Sequence, residues 1–114
     1  MRVEAKKYLH DMSQAIGLLD SFCAGKTFAD HERDAMLRAA VERQFEIIGE
    51  ALSGLAKLDP VLAARISEYR RIIAFRNILI HGYAEVDNRL VWSLIESKLP
   101  TLRREVEELL RETN

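Results

Sequence analysis

Apolar side chains return every three to four residues along nearly the whole chain, and that spacing commits it to helices. Ala5, Leu9, Met12, Ile16, Leu19 and Cys23 recur at steps of 4, 3, 4, 3 and 4, one stripe along a first helix that Gly25 ends. Asp30 is the expected cap of a second helix, which carries Leu37, Val41, Ile48, Leu52 and Leu55 and stops before Asp59-Pro60. Gly49 inside it costs about 1 kcal/mol of helix propensity, which predicts a close helix contact there. A third helix starts near Pro60 and ends at His81, with Gly82 as its left-handed cap. Asp87 caps a fourth, which carries Leu90, Val91, Leu94, Ile95, Leu102, Val106 and Leu109. Pro100 lies inside that pattern and predicts a kink near Glu96 or Ser97, or a break. No strand alternation appears. Four helices with short connections predict an all-α fold: one domain over residues 1–114, an antiparallel four-helix up-down bundle with a kinked last helix.

At 114 residues the chain buries roughly two thirds of its unfolded surface, enough for a core without staples. Charged residues at 31% and apolar residues at 48% place it with soluble globular proteins. The single cysteine, Cys23, excludes an intrachain disulfide and the thiolate-rich zinc folds. No apolar run approaches the ~20 residues of a membrane span, and the first seven residues lack a signal-peptide stretch. A cytoplasmic location is the simplest expectation.

The net charge of −1 argues against general polyanion binding, but the distribution is uneven. Residues 1–64 carry 8 basic and 10 acidic groups, whereas residues 65–81 carry Arg65, Arg70, Arg71 and Arg76 against Glu68 alone. Arginine forks onto phosphate better than lysine does. Arg65, Arg70 and Arg71 are thus candidate RNA-binding residues leading into the next segment. A solvated face laced with salt bridges is the competing reading.

That segment is Arg76-Asn77-Ile78-Leu79-Ile80-His81-Gly82-Tyr83. Leu62, Ile66, Tyr69 and Ile73 form one stripe of the third helix, and Ile72, Phe75 and Leu79 form a second. A helix apolar nearly all round is buried on all sides. In a four-helix monomer each helix keeps a solvent face, so the pattern predicts a second subunit, most simply in a two-fold homodimer. Arg76 and His81 lie five residues apart, about 140° around and about 7.5 Å along an ideal helix, and do not share a face. Asn77 and His81 do.

Metal-free RNA cleavage needs a base for the 2′-hydroxyl, a cation for the charge on the phosphate oxygens, and an acid for the leaving 5′-oxygen. His81 can be base or acid and Arg76 the clamp, while a two-fold axis supplies a second His81 as the missing proton carrier. Asn77 could orient His81 or the phosphate. Tyr83 could donate to a phosphate or stack on a base. Taken alone, Arg and His near a helix end are more often capping and ion-pair groups. His10 and His31 have no ligand-spaced partners, and no metal site or cofactor is expected. Glu46 and Glu50 share a helix face, and such a pair is most often a surface pair.

Arg76, four residues, His81, one residue, Tyr83 resembles the Arg-x4-His-x-Tyr motif of the HepT-like HEPN toxins. Tyr8-Leu9-His10-Asp11-Met12 looks like the opening helix of that family, and Phe45-Glu46-Ile47-Ile48-Gly49-Glu50-Ala51 like its second-helix signature. Val86-Asp87, Val91-Trp92 and Leu99-Pro100-Thr101-Leu102 look like its last helix. The resemblance implies a HEPN-like bundle that dimerises around the motif. It implies a metal-independent endoribonuclease, the toxin of a type VII toxin–antitoxin system. The implied partner is a minimal nucleotidyltransferase antitoxin that adenylylates the motif tyrosine using ATP. By motif, Arg76 and His81 become catalytic, Asn77 supporting, and Tyr83 the modification site. One departure is the run Ile66-Ser67-Glu68-Tyr69-Arg70-Arg71, where relatives often carry a Pro-Trp pair. Two other readings compete: a non-catalytic helical module that binds a nucleotidyltransferase or nucleotide, and a plain structural dimer.

Overall fold

The computed structural model describes residues 1–82 and 86–112. Every regular element among them is a helix. Helix α1 spans Val3–Cys23 and buries the expected stripe, Ala5, Leu9, Met12, Ile16 and Leu19. Cys23 sits half-buried at the core edge, and burial, reinforced by Asp20, pushes its thiol pKa up. Gly25 follows the helix at φ 72°, a left-handed conformation open to a residue without Cβ.

Two helices take the place of the expected second one. α2 (Phe28–Arg33) opens on a capping box. The Asp30 N–H donates to Thr27 Oγ1 at 3.2 Å, and the Thr27 N–H donates to Asp30 Oδ2 at 2.9 Å. Asp30 therefore serves this short helix from inside, and Asp34 caps the long one. Its Oδ1 accepts from the N–H groups of Met36 and Leu37 at 3.0 and 3.1 Å. That long helix, α3 (Ala35–Leu58), buries Leu37, Val41, Ile48, Leu52 and Leu55. Tyr8 near the start of α1 lies against Gly54 near the end of α3, so the two run antiparallel; a Cβ on Gly54 would come within 2.6 Å of the Tyr8 ring.

The third helix is shorter than its sequence pattern predicts. Asp59 caps a single turn, α4 (Pro60–Ala63), the chain turns through residues 64–68, and α5 runs only from Tyr69 to His81. Glu68 marks the interruption: its φ of 57° is left-handed, which costs about 1–2 kcal/mol for an L-residue and stops propagation from the preceding turn. Side chains hold the turn. Lys98 Nζ and Arg71 Nη1 each lie 2.9 Å from the Glu68 carboxylate. The Ser67 N–H and hydroxyl donate to Glu105 at 3.0 and 2.7 Å. At the other end Gly82 has φ 8° and ψ 34°, so it ends α5 without the left-handed cap expected of it.

Asp87 caps α6 (Asn88–Ser97), as its sequence position predicts. Pro100 then falls in the first turn of α7 (Leu99–Arg111). The last helix is thus broken at Lys98 rather than kinked, because proline is tolerated in a first turn and not in an interior. Leu99, Leu102, Val106 and Leu109 of α7 join the α1 and α3 stripes in one core, closed by Leu62, Ala63, Ile66 and Val91. Arg103 Nε donates to Asp20 at 3.0 Å and ties α7 to α1. No helix among the described residues is long and apolar enough to cross a membrane.

Candidate functional site

Arg76 is positioned by the helix opposite. Gly49 of α3 has no Cβ, and the stem of Arg76 lies across it; a Cβ there would come within 2.8 Å of Arg76 Cγ and 3.4 Å of the Ile72 carbonyl oxygen. The glycine that weakens α3 therefore lets α5 approach, as the sequence predicts. One helical turn earlier the Phe45 and Phe75 rings meet edge to face, with centroids 5.6 Å apart.

The guanidinium is held at two corners. Its Nη2 donates to Glu50 Oε2, and its Nη1 donates to Asn77 Oδ1 at 2.9 Å. Its Nε is buried and has no hydrogen-bond partner among the described residues. The side chain is 25% exposed, so its outer edge still reaches solvent. Asn77, expected to orient His81 or a phosphate, accepts this hydrogen bond from Arg76.

Glu50 is the residue that sequence reasoning missed. Paired with Glu46 it reads as a surface carboxylate, and its side chain is indeed 67% exposed. The signal lay in its neighbour: a glycine inside a long helix marks where another helix comes close, and the polar residue beside it faces what arrives.

His81 is the last residue of α5 and is exposed, with its ring one turn beyond Asn77. Tyr83 lies outside the described residues. Among the described residues, no group of three or more His, Cys, Asp or Glu side chains gathers to hold a metal.

The basic strip resolves into separate pairs. Arg65 grips Glu112 from α7's C-terminal end, Nη1 at 2.7 Å from Oε1. That bond, with the charges of Glu112 and Glu108, raises the Arg65 pKa above its ordinary value. The same bond lowers the Glu112 pKa. Arg71 pairs with Glu68. Arg70 lies over the Tyr69 ring, 5.4 Å from its centroid. Two of the three candidates thus already hold a carboxylate, which a phosphate would have to displace.

Part of the apolar surface of α5 is left uncovered. No residue of this helix is fully buried, and Ile78 and Ile80 are 58% and 44% exposed. A cleft of about 550 Å³ runs beside it. Ile72, Phe75 and Ile78 line one wall, and Leu90, Leu94 and Leu102 the other. The all-round burial that the sequence predicts for this helix is not met within a single chain.

Comparison with known proteins bears on these residues as a set. Residues 12–109 match the model of a family described as ribonuclease HepT-like. A ribonuclease by name from Thermococcus cleftensis is 34% identical over 109 residues, covering 96% of this chain and 98% of that protein. A protein of Caldanaerobacter subterraneus subsp. tengcongensis, also named as an RNase, is 32% identical, with 93% and 94% covered. Another so named, from Methanocaldococcus jannaschii, is 30% identical, with 91% and 94% covered. Among solved structures, none matches the chain.

Proposed function

The chain belongs to the HepT-like ribonuclease family, and from that premise we propose that it is a metal-independent RNA endonuclease, the toxin of a type VII toxin–antitoxin system. In this reading it works in the cytoplasm as a homodimer built on the four-helix up-down bundle of the HEPN type. A minimal nucleotidyltransferase antitoxin silences it by adenylylating Tyr83.

The observation that carries the reading is the fixed guanidinium of Arg76 on a helix that ends at an exposed His81. One His81 takes the proton of a 2′-hydroxyl, whose oxygen attacks the adjacent phosphorus. The bond to the 5′-oxygen breaks, and the partner subunit's His81 returns a proton to that oxygen. The products are a 2′,3′-cyclic phosphate and a 5′-hydroxyl. Arg76 stabilises the charge that builds on the non-bridging oxygens. Each role is filled by a side chain of this protein, so no step requires a metal.

The uncovered apolar face of α5 supports the dimer. Ile78 and Ile80 share the segment with Arg76 and His81, so covering them brings the second subunit to the site. Adenylylation of Tyr83 would add a bulky anionic group that competes with RNA for the charge of Arg76. The reading is tested with purified protein in excess EDTA. Single-stranded RNA should be cut by the wild type and left whole by Arg76→Ala and by His81→Ala. Cleavage that survives both substitutions would contradict it.

A further inference from the structure

The ribonuclease reading leaves open what sets the attitude of Arg76, and we propose that Glu50 is its positioning residue. The proposal rests on that reading and concerns the same site. A guanidinium on a flexible stem is a weak clamp until something fixes its plane. Here the stem is laid across Gly49 and the two terminal nitrogens are held, one by Glu50 from the neighbouring helix and one by Asn77 from its own.

Of the five N–H donors of arginine, one is then given to each of these partners, and the Nε–H is buried. Two remain, one on each terminal nitrogen, which matches a two-point contact with phosphate. Among the described residues Glu50 is the α3 side chain that holds the guanidinium, so it also couples the clamp to the interhelical contact at Gly49. Its exposure fits the role: a carboxylate at the rim orients the cation without sealing it from RNA.

A carboxylate beside the clamp has a second consequence. It repels the substrate phosphate, so removing it should not weaken RNA binding. Loss of orientation and loss of binding are therefore separable, which a merely structural ion pair would not allow.

The experiment compares wild type, Glu50→Gln, Glu50→Ala and Arg76→Ala on a single-stranded RNA oligonucleotide of mixed sequence. Affinity is measured with the same oligonucleotide carrying 2′-deoxy sugars, and folding by thermal melting. Glu50→Ala should lower kcat on the order of 10- to 100-fold, as misplacement of a reacting group does. Its affinity should be unchanged or tighter, and its melting temperature close to that of the wild type. Glu50→Gln keeps an acceptor oxygen and should fall between. Wild-type or higher kcat in Glu50→Ala would overturn the proposal, as would wild-type kcat in a well-folded Glu50→Gln when only Glu50→Ala is unstable. If Arg76→Ala is inactive in either of those cases, the ribonuclease reading stands without this role for Glu50. No cleavage by the wild type, or undiminished cleavage by Arg76→Ala, overturns the reading and the proposal with it.

Discussion

Two single residues, Gly49 and His31, show how local chemistry shapes this molecule. Gly49 is the point at which α3 admits α5. In Gly49→Ala the helix gains up to about 1 kcal/mol of propensity, but the new methyl drives into the Arg76 stem, and overpacking of that kind costs about 1–3 kcal/mol. Urea unfolding should therefore show a net loss of stability, accompanied by loss of RNA cleavage; a stabilised variant would mean that the helices are not in contact there. His31 is fully buried on α2, its ring 5.3 Å from that of Trp92, with neither ring nitrogen hydrogen-bonded among the described residues. Burial, with the nearby Arg38 cation, pulls its pKa below the ordinary value. The unfolded chain then binds a proton more readily than the folded one, so this contribution to stability is complete above about pH 6.5 and is lost as the pH falls through the folded-state pKa. The carboxylates with lowered values, Asp30, Glu68 and Glu112, add their losses in a separate, more acidic window below about pH 4.5. Melting curves from pH 8 to 5 should fall less steeply for His31→Leu than for the wild type, and identical slopes would count against this account of His31.

Whole elements were legible in the sequence to different degrees, and the differences have physical causes. The α1 stripe is long, regular and one-sided, and all its members but the half-buried Cys23 are buried. Asp87 announces α6 because capping is a local effect. α2 is six residues long, less than two turns, so its periodicity cannot register, and its capping box was absorbed into the start of α3. The break before α5 depends on Glu68, a left-handed residue without the glycine that would advertise it, held by Lys98 in the link between α6 and α7, while Glu105 of α7 holds its neighbour Ser67. The pairing of Glu50 with Arg76 was out of reach for the same reason: 26 positions separate them, and only packing brings them together. Of the motif, the sequence shows Arg76, Asn77 and His81 on one helix, whereas the hydrogen bond from Arg76 to Asn77 appears only in the folded chain. At this scale the claim about α5 is that its apolar face is an interface. Ile78→Asp alters a side chain already 58% exposed, so it should leave a lone chain folded. If a second copy covers that face, the substitution should shift sedimentation at micromolar concentration from dimer to monomer, and an unchanged dimer would place the interface elsewhere.

For the molecule as a whole, α1, α3 and α7 supply most of a conventional core, while α5 stands at its margin with no buried residue. The two jobs are divided between helices. The core trio fixes the frame, and α5 packs Ile72, Phe75 and Leu79 against it while leaving Ile78 and Ile80 exposed beside Arg76 and His81. The central claim is that the site cuts RNA by attack of the 2′-hydroxyl, with Arg76 and His81 and no metal. The chemical ends of the RNA fragments released in EDTA test it most directly. The account predicts 2′,3′-cyclic phosphate and 5′-hydroxyl ends, and no cut at a 2′-deoxy position. Fragments ending in 3′-hydroxyl and 5′-phosphate, or cleavage at a 2′-deoxy position, would contradict it.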